Sequence, residues 1–590
     1  MSFLKFDKNQ LVNLEYSLKR EILRSNRAGS YSSTTICGCN TRKYHGLLVC
    51  PIDEIDGEKH VMLSSLDLTV IQHDAEFNLG IHKYPGNIFH PAGHKYIRDF
   101  EIEKVAKTTY RVGGVILHKE SLLVSKEEQI IIKYTLEDAH SPTTLRFKPF
   151  LAFRNIHTLT KSNMFVNTRS ELVTNGAKFR MYNGYPALFI QFSKKVEFIP
   201  MPDWYYNIEY PEEQARGYEY SEDLYVPGYF DLPIKKGESI YISASLKECS
   251  PNSISKKYIK EYEERNPRNT YKDCLITAAE QFIVKKEKKT EVIAGFPWFG
   301  TWGRDTFISL PGLTLSVGDC KTFKAVIDTM VDKMKDGLFP NLGDGHNAVF
   351  NSVDAPLWFF WTMQQYAKHC DKPIEIWEKY SKVFKSIIET YYRGGSFNIK
   401  MHENGLIWAG QQGYALTWMD AVVYGKPVTP RIGYDVEICA LWYNAIRFCL
   451  DLAKLAKDTK FISQYKNIPQ LIESSFTETF WDEEKGYLAD YVDNDHKDWS
   501  VRPNQIIATA LDFSPIDDDI KKSVIEVVRK ELLTPYGLRT LSPNHHDYKP
   551  FYEGDQPTRD MAYHNGTVWP WLLQPFCTAY LNLNKKSGLP

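Results

Sequence analysis

Three segments far apart in the chain share a vocabulary of tryptophan, glycine and an acid: GFPWFGTWGRD (295–305), YALTWMDA (414–421) and FYEGDQPTRDMAYHNGTVWPW (551–571). Cleaving a glycosidic bond takes two carboxyl groups. One protonates the leaving oxygen, and the other acts as nucleophile or activates a water. Asp420, beside Met419 and Trp418, suits the proton donor, because a dry setting raises a carboxyl pKa. Taken alone, it reads equally as a cap or a buried structural acid. Arg304 and Asp305, which follow Trp302, can set a guanidinium and a carboxylate against sugar hydroxyls, or Asp305 can cap a helix. His564 with Asn565, and Arg502 with Asn504 and Gln505, are polar groups in loops that can hydrogen-bond a ligand. Of 13 tryptophans only Trp204 precedes residue 298. Aromatic rings fill cores, but their faces also stack on sugars, so a sugar site is expected in the second half.

Other chemistries lack their signatures. The chain shows no Walker phosphate loop, no G-x-G-x-x-G after a strand and no H-E-x-x-H. Its 72 basic and 73 acidic side chains leave a formal charge of −1, with no basic stripe, which speaks against nucleic acid as a partner. No run of 18 apolar residues appears, so no membrane span is expected. The start, MSFLKFDKNQ, lacks the apolar core of a secretory signal. Ten scattered cysteines, with only Cys37 and Cys39 close, read as reduced thiols of a cytoplasmic protein rather than a disulfide framework or zinc site.

Two periods divide the elements that must position these residues. Over 1–250, short β-branched runs at 61–72, 114–136, 143–153 and 238–246 predict an antiparallel β-sandwich. Residues 251–270, polar and charged, predict a linker helix. From 271 to 590, about ten amphipathic stretches joined by long Gly-, Asn-, Asp- and Trp-rich loops predict helices in a toroid with its site at one rim. The polar segment NTRKYHG (40–46) reads as a structural turn, with a reach to the rim of the site as the alternative.

In that setting the segments resemble, in order, the signatures of the glycogen debranching enzyme family in its bacterial and archaeal branch. They are GFPWFGTWGRDTFISLPGL, YALTWMDAVVYGKPVTPRIGYDVEICALWYNAI, SVRPNQIIATALDFSP, YGLRTLSP and AYHNGTVWPWLL, with GSYSSTTICGCNTRKYHGLLV (29–49) near the start. The resemblance implies an N-terminal antiparallel β-sandwich followed by a glucoamylase-like (α/α)6 toroid. It implies an amylo-α-1,6-glucosidase that inverts the anomeric centre, needs neither metal nor organic cofactor, and takes glycogen, limit dextrin or branched malto-oligosaccharides. Asp420 of TWMD is then the expected general acid, and Trp302, Arg304 and Asp305 the grip on the terminal glucose. Trp418, Glu437, Asn504, Gln505, His564 and Trp569 are expected to bind substrate or shape its pocket.

The base is less explicit. Eukaryotic members have a glutamate in a segment resembling YHNGPEW, where this chain reads Tyr563–His564–Asn565–Gly566–Thr567–Val568–Trp569. The acids of the preceding loop are Asp547, Glu553, Asp555 and Asp560. Glu553 ranks first for its reach and partly apolar neighbours and Asp560 second, with Glu437 a third candidate. A glucoamylase-like exo-α-glucosidase on other linkages, added transferase activity at the same site, and a non-catalytic glycogen-binding protein are the alternatives.

Overall fold

The computed structural model describes residues 2–343 and 348–584. The chain divides into two compact units, Met1–Lys289 with Gly295–Phe299, and Thr290–Ala294 with Gly300–Pro590.

In the first unit every strand pair is antiparallel. A nine-stranded sheet contains Val115–Leu123, Gln129–Asp138 and Ser239–Ser245 as neighbours, and an eight-stranded sheet is centred on Lys59–Gln72, Thr143–Asn155 and Ser221–Ile234. The β-branched run over 114–136 is a hairpin, turning at residues 124–128. Alternate residues of both sheets point into one core, where Tyr134 of the first meets Phe147 of the second at 5.2 Å between ring centres. That packing makes the unit a β-sandwich. Segment 40–46 is a folded turn: Tyr31 Oη donates to the Tyr44 carbonyl at 2.7 Å, and His45 Nδ1 accepts from the Thr41 amide at 3.1 Å.

Two helices follow. Helix α1 (Pro251–Glu263) is no free linker, because Ile254 and Tyr258 are buried against Leu122 and Ile131 of the nine-stranded sheet and Val105 in a turn between two of its strands. Helix α2 (Tyr271–Gln281), capped by Thr270 and Asp273, also belongs to the first unit, so the helical unit begins later than residue 271.

The second unit carries eleven α-helices among the described residues. They are α3 (Gly303–Thr314), α4 (Cys320–Asp332), α5 (Ala355–Ala367), α6 (Ile374–Arg393), α7 (Val436–Leu455), α8 (Thr459–Tyr465), α9 (Ile468–Phe480), α10 (Asn504–Ala510), α11 (Asp518–Glu531), α12 (Gln556–Tyr563) and α13 (Leu573–Asn584). The apolar α5, α7 and α10 are buried nearly all round, as inner helices must be. They form a packed succession with their flanking partners, α3 on α5, α5 on α7, α7 on α10 and α10 on α13. The amphipathic α4, α6, α9 and α11 each present one apolar stripe to these. A small antiparallel sheet of Lys400–Met401, Ile407–Ala409, Gly433–Asp435, Tyr491–Asp493 and His496–Lys497 gathers the loops before α7 and α10. No helix among the described residues is long and apolar enough to cross a membrane.

Candidate active site

Helix α3 starts at Trp302, whose extended backbone caps it. Gly303 is forced by space, since a Cβ there would stand 2.4 Å from the Pro340 carbonyl oxygen. Arg304 follows, 6% exposed, and spends its fork on protein acceptors. Its Nε donates to Asp354 Oδ2 at 2.7 Å, Nη1 to Asp420 Oδ2 at 3.1 Å, and Nη2 to the Thr417 carbonyl at 3.2 Å. Asp354 stands at the start of α5 and is fixed by Ser352 Oγ at 2.5 Å. Arg304 thus ties the heads of two helices to the loop that carries Asp420.

Asp420 has a side chain one-quarter exposed, on a loop whose neighbours Trp418 and Met419 are buried. His564, the C-cap of α12 and 1% exposed, sets Nε2 3.8 Å from Asp420 Oδ1, close enough to act through charge but too far to hydrogen-bond. Trp418 backs the pair. Its ring meets His564 and Trp571 edge-on, each at 5.2 Å, and Trp569 lies parallel to His564 at 6.1 Å. Trp418 Nε1 donates to Asn504 Oδ1 at 2.7 Å.

The electrostatics depart from the expectation for a dry aspartic acid. Burial pushes the Asp420 carboxyl up, yet Arg304 and then His564 pull it further down, and it ends below its ordinary value. The half-buried Asp305 goes the other way. Burial raises it, Arg304 opposes, the Asp420 charge adds to the rise, and its carboxyl ends above the usual range. Burial also lowers the His564 imidazole, although Asp420 resists this. The unliganded site therefore holds an ionised Asp420, an Asp305 that takes a proton more readily, and Arg304 kept charged against burial by Asp354 and Asp420.

Several expected ligand contacts are instead supports. Asn504 and Gln505 are buried, Asn504 bridging Trp418 to Asp490 Oδ1 (2.8 Å) and Gln505 accepting from the Leu488 amide (3.3 Å). Glu437, in the first turn of α7 and 1% exposed, is gripped by both terminal nitrogens of Arg431, at 2.6 Å for Nη2. Arg431 Nε also lies 2.8 Å from Asp490 and 3.6 Å from Asp435. Burial drives the Asp435 carboxyl well up despite Arg431, and raises that of Glu437 as well. The Glu437 carboxyl is thus bonded to protein on both oxygens rather than open at the surface.

Among the loop acids, Asp555 caps α12 by accepting from the Thr558 amide at 3.1 Å, and Asp547 lies 3.2 Å from His546. Glu553 is exposed. Asp560 is half-buried on α12, one turn before Tyr563. Burial raises the Tyr563 hydroxyl pKa first, the neighbouring Tyr552 next, and then the charges of Asp420, Asp305 and Asp560 add to it. For metals, His545, His546 and Asp547 offer three ligand atoms within 4.8 Å of one another, the last two on exposed side chains.

Asp354 and Arg431 went unnoticed in the sequence. Asp354 precedes Ala355–Pro356 and carries the ordinary mark of a helix start, which concealed its bond to Arg304.

Comparison with known proteins fits this arrangement. The profile of the family described as "Amylo-alpha-1,6-glucosidase" matches residues 277–589, and that of "Glycogen debranching enzyme N terminal" matches 20–241. The glycogen debranching enzyme of Saccharomyces cerevisiae is 26% identical over 400 residues, covering 52% of this chain and 26% of the yeast protein. The chain thus spans about a quarter of that relative's length. Among solved structures, a bacterial glucoamylase complexed with acarbose superposes with a TM-score of 0.52 at 12% identity, covering 98% of this chain and 87% of the other, which is a likeness of fold. With its sandwich, its helical unit and the Arg304–Asp420–His564 cluster inside the longer match, the chain belongs to the amylo-alpha-1,6-glucosidase family of glycogen debranching enzymes.

Proposed function

We propose that this protein is a glycoside hydrolase that releases glucose from α-1,6 branch points of glycogen or limit dextrin, with inversion, from an (α/α)6 toroid. The observation that carries the reading is the joining of Asp420 to the buried Arg304, which also binds Asp354, with His564 3.8 Å from the same carboxyl, all within the matched region. The succession α3–α5–α7–α10–α13 supports an inner helical ring. In this reading Asp305 and Trp302 hold the terminal glucose, with Trp418 and Trp569 behind it, while Arg304, its fork spent on Asp354, Asp420 and the Thr417 carbonyl, positions the Asp420 carboxylate. Asp420 protonates the leaving oxygen. Because its carboxyl is ionised in the open site, the arriving sugar must first lift its pKa by displacing water from its exposed quarter.

A water attacks from the opposite face, activated by a carboxylate, and inversion calls for a carboxyl separation of roughly 6.5–9.5 Å. For that base we favour Asp560 over Glu553, because Asp560 is half-buried on α12, one turn before Tyr563 and His564, whereas Glu553 is exposed. The test is incubation with a glycogen limit dextrin under anomeric analysis. Free β-glucose is expected as first product. Release of α-glucose would overturn inversion, and dextrin binding without glucose release would make the chain a glucan-binding protein.

A further inference from the structure

A second polar groove lies on the helical unit, sharing no lining residue with the Arg304–Asp420–His564 cluster. It has a volume of about 510 Å³ and is lined by Gly394, Gly395, Asn398, Lys400, His402, Trp408, Asp493 and Asn494. The size suits a bound small molecule or a short stretch of polymer, since such pockets run from about 300 to 1,000 Å³. The small five-stranded sheet builds its wall. Lys400, Trp408 and Tyr434 stand directly opposite one another on three neighbouring strands. The His402 ring lies parallel to Trp408, 10° between planes and 6.3 Å between centres, and is pinned where Nδ1 meets Tyr434 Oη at 2.7 Å.

The rim is exposed amide, ammonium and carboxylate. Lys400 and Asp493 offset each other, and burial, with Lys400 nearby, lowers the His402 pKa, so the groove carries no net charge. Its backbone is unusual as well. Asn398 and Asn494 line it with φ of 55° and 51°, next to Phe397 at 57°, a left-handed conformation rare for a bulky aromatic. Strain of this kind gathers at binding sites, where the surrounding structure holds it.

Parallel rings at the base, a fringe of hydrogen-bonding groups and zero net charge describe a receptor for a neutral polyhydroxylated chain. A phosphate or nucleic acid would call for excess positive charge. We infer that this groove is an auxiliary carbohydrate site that holds an outer α-1,4-glucan chain of the polymer away from the reacting centre, with Trp408 as its platform. The inference rests on the glucan substrate proposed above.

Full-length Asp420→Asn protein, which holds but does not turn over its substrate, separates the two ideas in an affinity gel containing soluble amylopectin. Retardation of this protein is expected, and its absence would sink the glucan reading itself. Adding Trp408→Ala should weaken amylopectin binding about fivefold to tenfold, the usual effect of truncating a central aromatic contact, and Trp408→Phe should restore most of it. The exposed rim variant Asn494→Gly, which keeps the left-handed backbone and removes only the side-chain amide, should also weaken binding, by about threefold. In active protein, Trp408→Ala should lower kcat/KM on glycogen relative to that on a short singly branched oligosaccharide. Amylopectin binding that Trp408→Ala and the rim variant both leave unchanged would overturn the site while leaving the proposed activity standing.

Discussion

At the scale of single residues, the tension sits on Asp420. A proton donor must hold a proton, whereas Arg304 at 3.1 Å keeps this carboxyl ionised in the open site. Bound glucose removes water and weakens the charged form, so the pKa relevant to the complex lies above that of the free protein. The limb at which activity falls with rising pH should therefore sit at higher pH in kcat than in kcat/KM, because the first reports the complex and the second the free enzyme. Coincident limbs would contradict this. Replacing Asp420 by Asn should lower turnover by about 10²–10⁴-fold, the usual share of general acid catalysis, with dextrin binding retained. For the base, Asp560→Ala should be nearly inactive and regain turnover with azide, yielding glucosyl azide, while Glu553→Ala keeps most of its activity. The reverse pattern would hand the role to Glu553.

At the scale of elements, the heads of α3, α5 and α7 arrange everything else. Arg431 is the hub beneath α7, the shared cation of Asp435, Glu437 and Asp490 in a region where each of these side chains is at most 3% exposed. Removing it strands three buried acids. Arg431→Met should cost about 3–5 kcal/mol in chemical denaturation, the penalty for breaking a buried ion pair from one side, and a loss under about 1 kcal/mol would show the hub to be dispensable. The sequence made the helices legible because their apolar residues recur with the helical period, and it exposed Asp420, Arg304 and His564 because they lie in Trp- and Gly-rich segments. It could not separate Asn504, Gln505 and Glu437, which turn inward, from residues that turn toward a ligand. That difference depends on partners such as Asp490 and Arg431, brought close only by folding. Trp408 was hidden for the same reason, since its setting is made by cross-strand neighbours at 400 and 434.

At the scale of the whole molecule, the two halves are not strung together by one linker. The chain passes from one unit to the other three times between residues 289 and 300. Thr290 donates its amide to Thr329 Oγ1 at 3.0 Å in the helical unit, and Ile293 bridges Thr301. Phe296 and Trp298 pack instead with Tyr31 and Tyr44 of the sandwich, at 5.9 and 5.6 Å. A chain shortened to begin at 300 loses the first set of contacts, and one that begins at 290 leaves two aromatic rings without the cluster that buries them. Either piece, expressed by itself, should aggregate or melt well below the full protein, and a soluble helical half melting at the full protein's temperature would disprove this. The same interleaving bears on ancestry. Recombination at a single point within this stretch leaves at least one unit with a fragment of its own missing.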